Sequence, residues 1–450
     1  MHQDAQGLAL TTLAPDAAAG YDSVIAGYLK YRFDTPLRLK AALKADPEAP
    51  MLNLLKGSFA MLAYKSSYVD GARQVVEAMQ PALARATERE RAHAAALAAW
   101  ADDEMDRALA IWEGILASHP RDILAFRLHH FCAFWLGRAD AMLKTVETIL
   151  PHWDASVPGW GSVLACRSFA NEECGHYTVA EAAGRAAIEQ DPGDLWAVHA
   201  VAHILEMQGR RGEGIAWIGG LKPHFDGTNN LAHHVWWHQA MYHLERREFD
   251  EVLRLYDFGF RDLDSAVTQQ QPDLYIDMQN AISMLFRLVR HGVDVGNRWI
   301  ELADKAEGRI GDCRSAFTLP HWMMALCAEG RLDAARSMLE GMRDFAGANR
   351  GTTAPIVARY AIPVSEAVLL HAQGDHRGAV AAMRPALQGM YALGGSHAQQ
   401  DVLEQLFLDA AMKGGLQDDA RMLLERVAGR HPVPPERRLG YAAAARAVAY

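Results

Sequence analysis

Apolar positions along this chain recur with a helical period far more often than with a strand period. In "ALAAWADDEMDRALAIWEGILASHPRD", residues 96–122, Ala108, Ile111, Trp112 and Ile115 fall at i, i+3, i+4 and i+7. That spacing lays them on one face of one helix. An earlier apolar-faced segment stops at "ADDEMD", and Pro120 stops the second. The pattern predicts two antiparallel helices joined by a tight turn.

The same unit returns down the chain. "SFANEECGHYTVAEAAGRAAIEQDPGD", 168–194, carries Gly175, Tyr177, Ala180 and Pro192. A small residue at the turn, an aromatic two later, an alanine three beyond and a closing proline make the tetratricopeptide signature. Small side chains at Gly175 and Ala180 are expected to let two helices approach closely. Further turns are expected at Gly137, Gly209, Gly330 and Gly374, and around Arg247 and Phe249. The intervals 137→175→209 are 38 and 34 residues, close to the roughly 34 of this repeat. One helix pair cannot bury its own apolar face, so stacked pairs must share a continuous core. The predicted fold is all-α: a tetratricopeptide-like solenoid of antiparallel helix pairs with right-handed superhelical curvature. Residues 1–50 and 431–450 read as helical caps around degenerate repeats at 51–430.

Composition sharpens this picture. Half of the 450 residues are hydrophobic and β-branched runs are scarce, which favours helix. The net charge of −10, with no Lys/Arg block, argues against a nucleic-acid partner. No apolar run reads as the roughly 18–20 residues that span a bilayer, so no membrane partner is expected. The first twenty residues lack a basic stretch followed by an apolar one, unlike a secretory signal. The five cysteines, Cys132, Cys166, Cys174, Cys313 and Cys327, are odd in number and show no C-x-x-C pair. They read as reduced thiols of a cytoplasmic protein. No βαβ pattern, dinucleotide fingerprint or P-loop is present.

The stretches "DLWAVHAVAHILEM", "HHVWWHQAMYHLERREFDEVLRLYD", "GGSHAQQDVLEQLFLDAA", "HGVDVGNRW" and "AALKADPEAP" resemble the tetratricopeptide repeat protein 38 family. They span most of the chain. The resemblance implies an all-helical repeat solenoid and no defined activity.

Chemistry concentrates in histidines. His199, His203 and Glu206 share one narrow face of one helix, since about 100° separates successive residues. His234 and His238 repeat the i, i+4 spacing, and both offsets, 199→234 and 203→238, are 35 residues, about one repeat. The first helices of successive repeats lie side by side, so the two pairs are expected to face each other. Their phase relative to the turns differs, which implies that one helix is longer or shifted. His93, His130 and His321 stand in comparable helices, and the resembled family carries comparable histidines at all seven positions. His129, His233 and His243 match less well.

Three readings stay open. The histidines are satisfied groove residues, packed and hydrogen-bonded to their neighbours. Or they line a concave groove for a peptide, protein or small molecule, together with Trp196, Trp236 and Trp237. Or three or four imidazoles hold a divalent metal, zinc or iron, with Glu206 nearby. Residue 200 is alanine, so this is not the H-E-x-x-H of metalloproteases. If catalysis occurs, hydrolytic or oxidative, Glu206 and one histidine are the acid–base candidates. Binding in the groove is the leading expectation, with an enzyme at the same histidines as the alternative.

Two other stretches bear on the site. "GGSHAQ" at 394–399 reads as a helix start, with Ser396 and Gln399 as a capping box. Asp277 lies in an apolar helix and needs a partner. Arg287 or Arg298 is the preferred one, with contact to the groove histidines as the alternative.

Overall fold

The computed structural model describes residues 2–450 apart from Leu13 and Asn349. It runs helix after helix. Glu88–Ala101 packs on Met105–Ser118, and that helix on Ile123–Trp135. Ala108, Trp112 and Ile115 are at most 4% exposed, so the predicted face is the buried one, with Ile111 half-buried at its edge. Trp160–Glu173 and Tyr177–Gln190 form the pair read from "SFANEECGHYTVAEAAGRAAIEQ". Among the described residues the one sheet is a hairpin of two two-residue strands, His2–Gln3 against Ala9–Leu10.

The turns are where the pattern placed them. Gly137, Gly175, Gly209, Gly330 and Gly374 all adopt positive φ, between 66° and 82°. A left-handed residue lets the chain reverse after a helix, and glycine takes that conformation without a Cβ clash. Asp103 and Arg247 hold the same place in their turns at φ 62°, without glycine. Such residues carry a strain of about 1–2 kcal/mol.

The packing role expected of Gly175 is not found there. Nothing lies within 4 Å of a Cβ built on it, so its requirement is conformational. Ala180 is fully buried, as expected. The close helix approaches sit elsewhere. A Cβ on Gly184 would stand 2.6 Å from Val201 Cγ2, and one on Gly214 would stand 2.3 Å from the Tyr242 ring.

The chain divides into two compact units. One unit is Met1–Val201 with Leu221–Ala232, and the other is Ala202–Gly220 with His233–Tyr450. Residues 431–450 are integral to the second unit. Tyr441 donates to Asp401 at 2.5 Å, and the Leu439 backbone N–H donates to Glu245 at 3.2 Å.

One segment corrects the hydropathy reading. Thr353–Ala372 is a continuous 20-residue helical run long and apolar enough to cross a membrane by length and composition. It continues through a wide turn at Val357–Ala361, just before Pro363, where the missing proline N–H would otherwise interrupt the ladder. Within the second unit its Ile362–Ala372 part packs on Thr318–Ala328, Leu332–Ala348 and His376–Met383.

Candidate histidine centre

Two helices build the centre, Leu195–Met207 and Leu231–Glu245. The second is longer, 15 residues against 13, which accounts for the phase difference between the two histidine pairs. Tyr242 Oη donates to the Ala202 carbonyl at 2.6 Å and ties the second helix to the first. Gly214, on the helix that follows, leaves room for the Tyr242 ring.

Within the second unit the imidazoles of His203, His234 and His238 meet. The His203 and His238 ring centres are 4.3 Å apart, and those of His234 and His238 are 4.8 Å apart. His199 lies one turn before His203 on the same helix. His203, His234 and His238 each offer a ring nitrogen, and these three atoms lie within 4.8 Å of one another. Exposure of the three residues runs from 0 to 3%. They are interior groups, not the lining of an open surface.

The surroundings orient the rings. His234 Nδ1 lies 3.1 Å from Asn280 Oδ1, and His238 Nδ1 lies 2.8 Å from Glu206 Oε2. An amide oxygen only accepts, so His234 donates from Nδ1 and keeps the lone pair on Nε2. Trp237 stacks on His234 at 5.3 Å and meets His238 edge-on at 4.9 Å. Burial keeps the rings neutral: it lowers His238 to about 3 and holds His234 well below its usual range. Burial also pushes the Glu206 carboxyl up to about 8, against the opposing charge of Arg287.

The remaining candidates separate into distinct places. His93 Nε2 pairs with Asp122 Oδ2 at 2.9 Å, and Arg89 donates to the same oxygen at 2.9 Å. Asp122 also caps its helix through the Ala125 N–H, so His93 belongs to a structural ion cluster. His321 donates from Nδ1 to the Phe317 carbonyl at 2.9 Å, and burial lowers it to about 4. His130 and Trp196 lie in the first unit, with ring centres 6.3 Å apart, and Trp196 lies 4.6 Å from His199. Trp237 is fully buried among the histidines. Trp236, one residue away, points to another face, near Gly259. Within the second unit the structure therefore joins His203, Glu206, His234, His238 and Trp237, and leaves Trp236 and His321 outside, while His93 and His199 lie in the first unit.

Asp277 corrects the expected ion pair. Its carboxylate lies 3.1 Å from His233 Nδ1. Arg287 donates to Asp401 at 3.3 Å, and Arg298 to Asp257 at 2.6 Å. The capping box at Ser396 and Gln399 is formed as read, with both backbone–side-chain bonds present.

Sequence reasoning missed the polar network behind Glu206. Asp401 accepts from Arg438 at 2.6 Å, Gln405 at 2.6 Å and Tyr441 at 2.5 Å. A small cleft in the second unit is lined by Met207, next to Glu206, and by Asp401, His397, His431 and Arg438.

No family model matches the chain. Among solved structures it aligns with the human IFIT1 dimer with m7Gppp-AAAA at 9% identity, covering 93% of this chain and 95% of that one, with a TM-score of 0.44. Yeast Tom70 aligns at 12% identity over 96% of this chain and 88% of its own, with a TM-score of 0.33. Likeness at this distance carries no argument about ligand or activity, and the m7Gppp-AAAA belongs to IFIT1. The all-α helical-repeat fold stands on the helix pairs and left-handed turns of the chain itself. The expectation of no nucleic-acid partner stands on net charge alone.

Proposed function

We propose that this chain binds a divalent metal ion through His203, His234 and His238 of the second unit, and holds a small ligand at that centre. The observation that carries the reading is the group of three imidazole nitrogens, from His203, His234 and His238, within 4.8 Å of one another. Ligand atoms about 2.1 Å from one ion stand at most about 4.2 Å apart, so a modest contraction brings them into range. Imidazole suits zinc and iron. Asn280 on His234 and Glu206 on His238 supply the outer hydrogen bonds that metal-binding imidazoles need. Near-complete burial favours an ion and a small molecule over a peptide or protein laid along an open groove.

A bound ion would supply a Lewis-acid or redox centre. The protein's own contribution is to fix the rings, exclude water and keep a carboxyl group beside His238. That last feature favours a second reading, an enzyme of hydrolytic or oxidative type at the same centre, with Glu206 as the proton-handling group. The kinship with the tetratricopeptide repeat protein 38 family belongs to the proposal and names no reaction. Five free thiols support a cytoplasmic setting.

Elemental analysis of the purified chain tests the proposal. About one equivalent of zinc or iron is expected, and the double substitution His203→Ala, His238→Ala removes it. Protein that folds fully and takes up no metal from zinc- or iron-supplemented buffer sinks the metal reading.

A further inference from the structure

Arg127 is a buried cation that feels the charge of buried Asp194 but has no carboxylate in hydrogen-bond contact among the described residues. Its side chain is almost wholly inaccessible, and the guanidinium donates to Cys166 Sγ at 2.6 Å and to Tyr31 Oη at 2.6 Å. Nε has no hydrogen-bond partner, and no carboxylate ion-pairs with Arg127 among the described residues. One turn along the same helix, His130 is 2% exposed, and neither of its ring nitrogens has a hydrogen-bond partner there. Burying a charge or a polar group without compensation costs several kcal/mol, as a rough scale. Two such groups side by side form a site short of an acceptor.

Aromatic rings wall this place. The Arg127 guanidinium carbon stands 5.3 Å from the Trp196 ring centre, 5.8 Å from that of Tyr31 and 6.0 Å from that of Tyr28. Phe169 closes the side toward His130, with ring centres 6.1 Å apart. Tyr28 and Tyr31 are only half-buried, so approach is from their side. Tyr31 is held there in a left-handed conformation, φ 52°, with its carbonyl accepting from the Asn229 N–H at 2.7 Å.

We propose that the first unit holds a subsite for a small organic monocarboxylate with an aromatic or apolar body, the carboxylate on Arg127 and His130 and the body among Trp196, Phe169, Tyr28 and Tyr31. A carboxylate supplies the acceptors that Arg127 and His130 lack with the least added charge, whereas a phosphate dianion beside buried Asp194 would leave a net buried negative charge. The rings suit a flat apolar body and the cation–π contacts already hold the guanidinium in place. Cys166 does not supply the missing anion, because burial outweighs the pull of Arg127 and holds the thiol protonated. The subsite lies wholly within the first unit and does not depend on a metal.

Metal-free full-length protein is titrated with benzoate and with benzamide, its uncharged counterpart, reading tryptophan fluorescence and melting temperature. Benzoate is expected to shift both and benzamide neither. Arg127→Met should weaken the benzoate response at least tenfold and melt no lower than the parent, since an uncompensated charge is gone. Should Arg127→Met fail to fold, His130→Leu serves, with a loss of several-fold expected. Equal responses to the two probes, or a benzoate response that survives the substitution, overturns the subsite. So does a thiolate absorbance at 240 nm at pH 7 that Cys166→Ala removes, because the protein would then provide its own anion.

Discussion

His238 Nδ1 lies 2.8 Å from Glu206 Oε2, and the two residues come from helices that are neighbours only in the fold. That contact commits Nδ1 of His238 and fixes the orientation of its ring. Asn280 does the same for His234. Outer partners of this kind set ring orientation, and removing one typically weakens metal binding about 10–100-fold. Asn280→Ala is therefore expected to lower zinc affinity by at least tenfold in a chelator competition while leaving the helical circular dichroism spectrum in place. Unchanged affinity would mean that Asn280 does not orient a ligand.

Gly175 and Gly214 separate two roles of glycine. Gly214→Ala drives a methyl into the Tyr242 ring, at 2.3 Å, and is expected to cost about 1–3 kcal/mol in denaturant unfolding. Gly175→Ala meets open space and carries only the left-handed backbone strain, about 1–2 kcal/mol. Gly175→Asn should then recover part of that loss, because asparagine tolerates the conformation, while Gly214→Asn should be worse than Gly214→Ala. The reverse order would put the close packing at the turn.

His93 shares its spacing class with the metal candidates but serves Asp122. His93→Ala should lower stability by about 1–3 kcal/mol and leave metal content unchanged. Loss of metal in that variant would return His93 to the centre.

Asp401 gives the second unit an acid-side dependence. Burial alone raises its pKa, but the charges of Arg438 and Arg287, with hydrogen bonds from Tyr441 and Gln405, outweigh it and hold the carboxyl well below the usual range. A group whose folded pKa is depressed stabilises fully above its unfolded value, about 3.9, and that stability is lost as pH falls through the window below it. Stability should stay flat from neutral pH to about 5 and drop below about 4. Asp401→Ala should cost about 3–5 kcal/mol at neutral pH and flatten the drop. An unaltered acid limb in that variant would assign the loss to other carboxylates.

The helical period and the turn residues made the fold readable, because both are local. Gly137, Gly209 and even Arg247 mark reversals that depend only on nearby backbone. The offset of 35 residues made the meeting of His203 with His238 readable, since repeats convert sequence spacing into spatial neighbourhood. Burial was not readable: a helix face looks the same in sequence whether it lines a groove or lies beneath other helices. Partners 40 or more residues away were also hidden. Arg287 reaches Asp401 across 114 residues and Asp277 reaches His233 across 44, and no local pattern chooses between carboxylates. The hairpin at His2–Gln3 and Ala9–Leu10 is too short to show an alternation.

A structural zinc normally closes four ligands and rescues a domain that cannot build a core. This chain builds an extensive core of its own, so removing the ion should lower the melting temperature only modestly. Metal-edge X-ray absorption on the purified, metal-loaded chain tests the central claim most directly. The expected result is one ion with three imidazole nitrogens in its first shell and no sulfur, lost in His203→Ala, His238→Ala. A first shell containing sulfur, or an unchanged spectrum in that variant, would contradict the account.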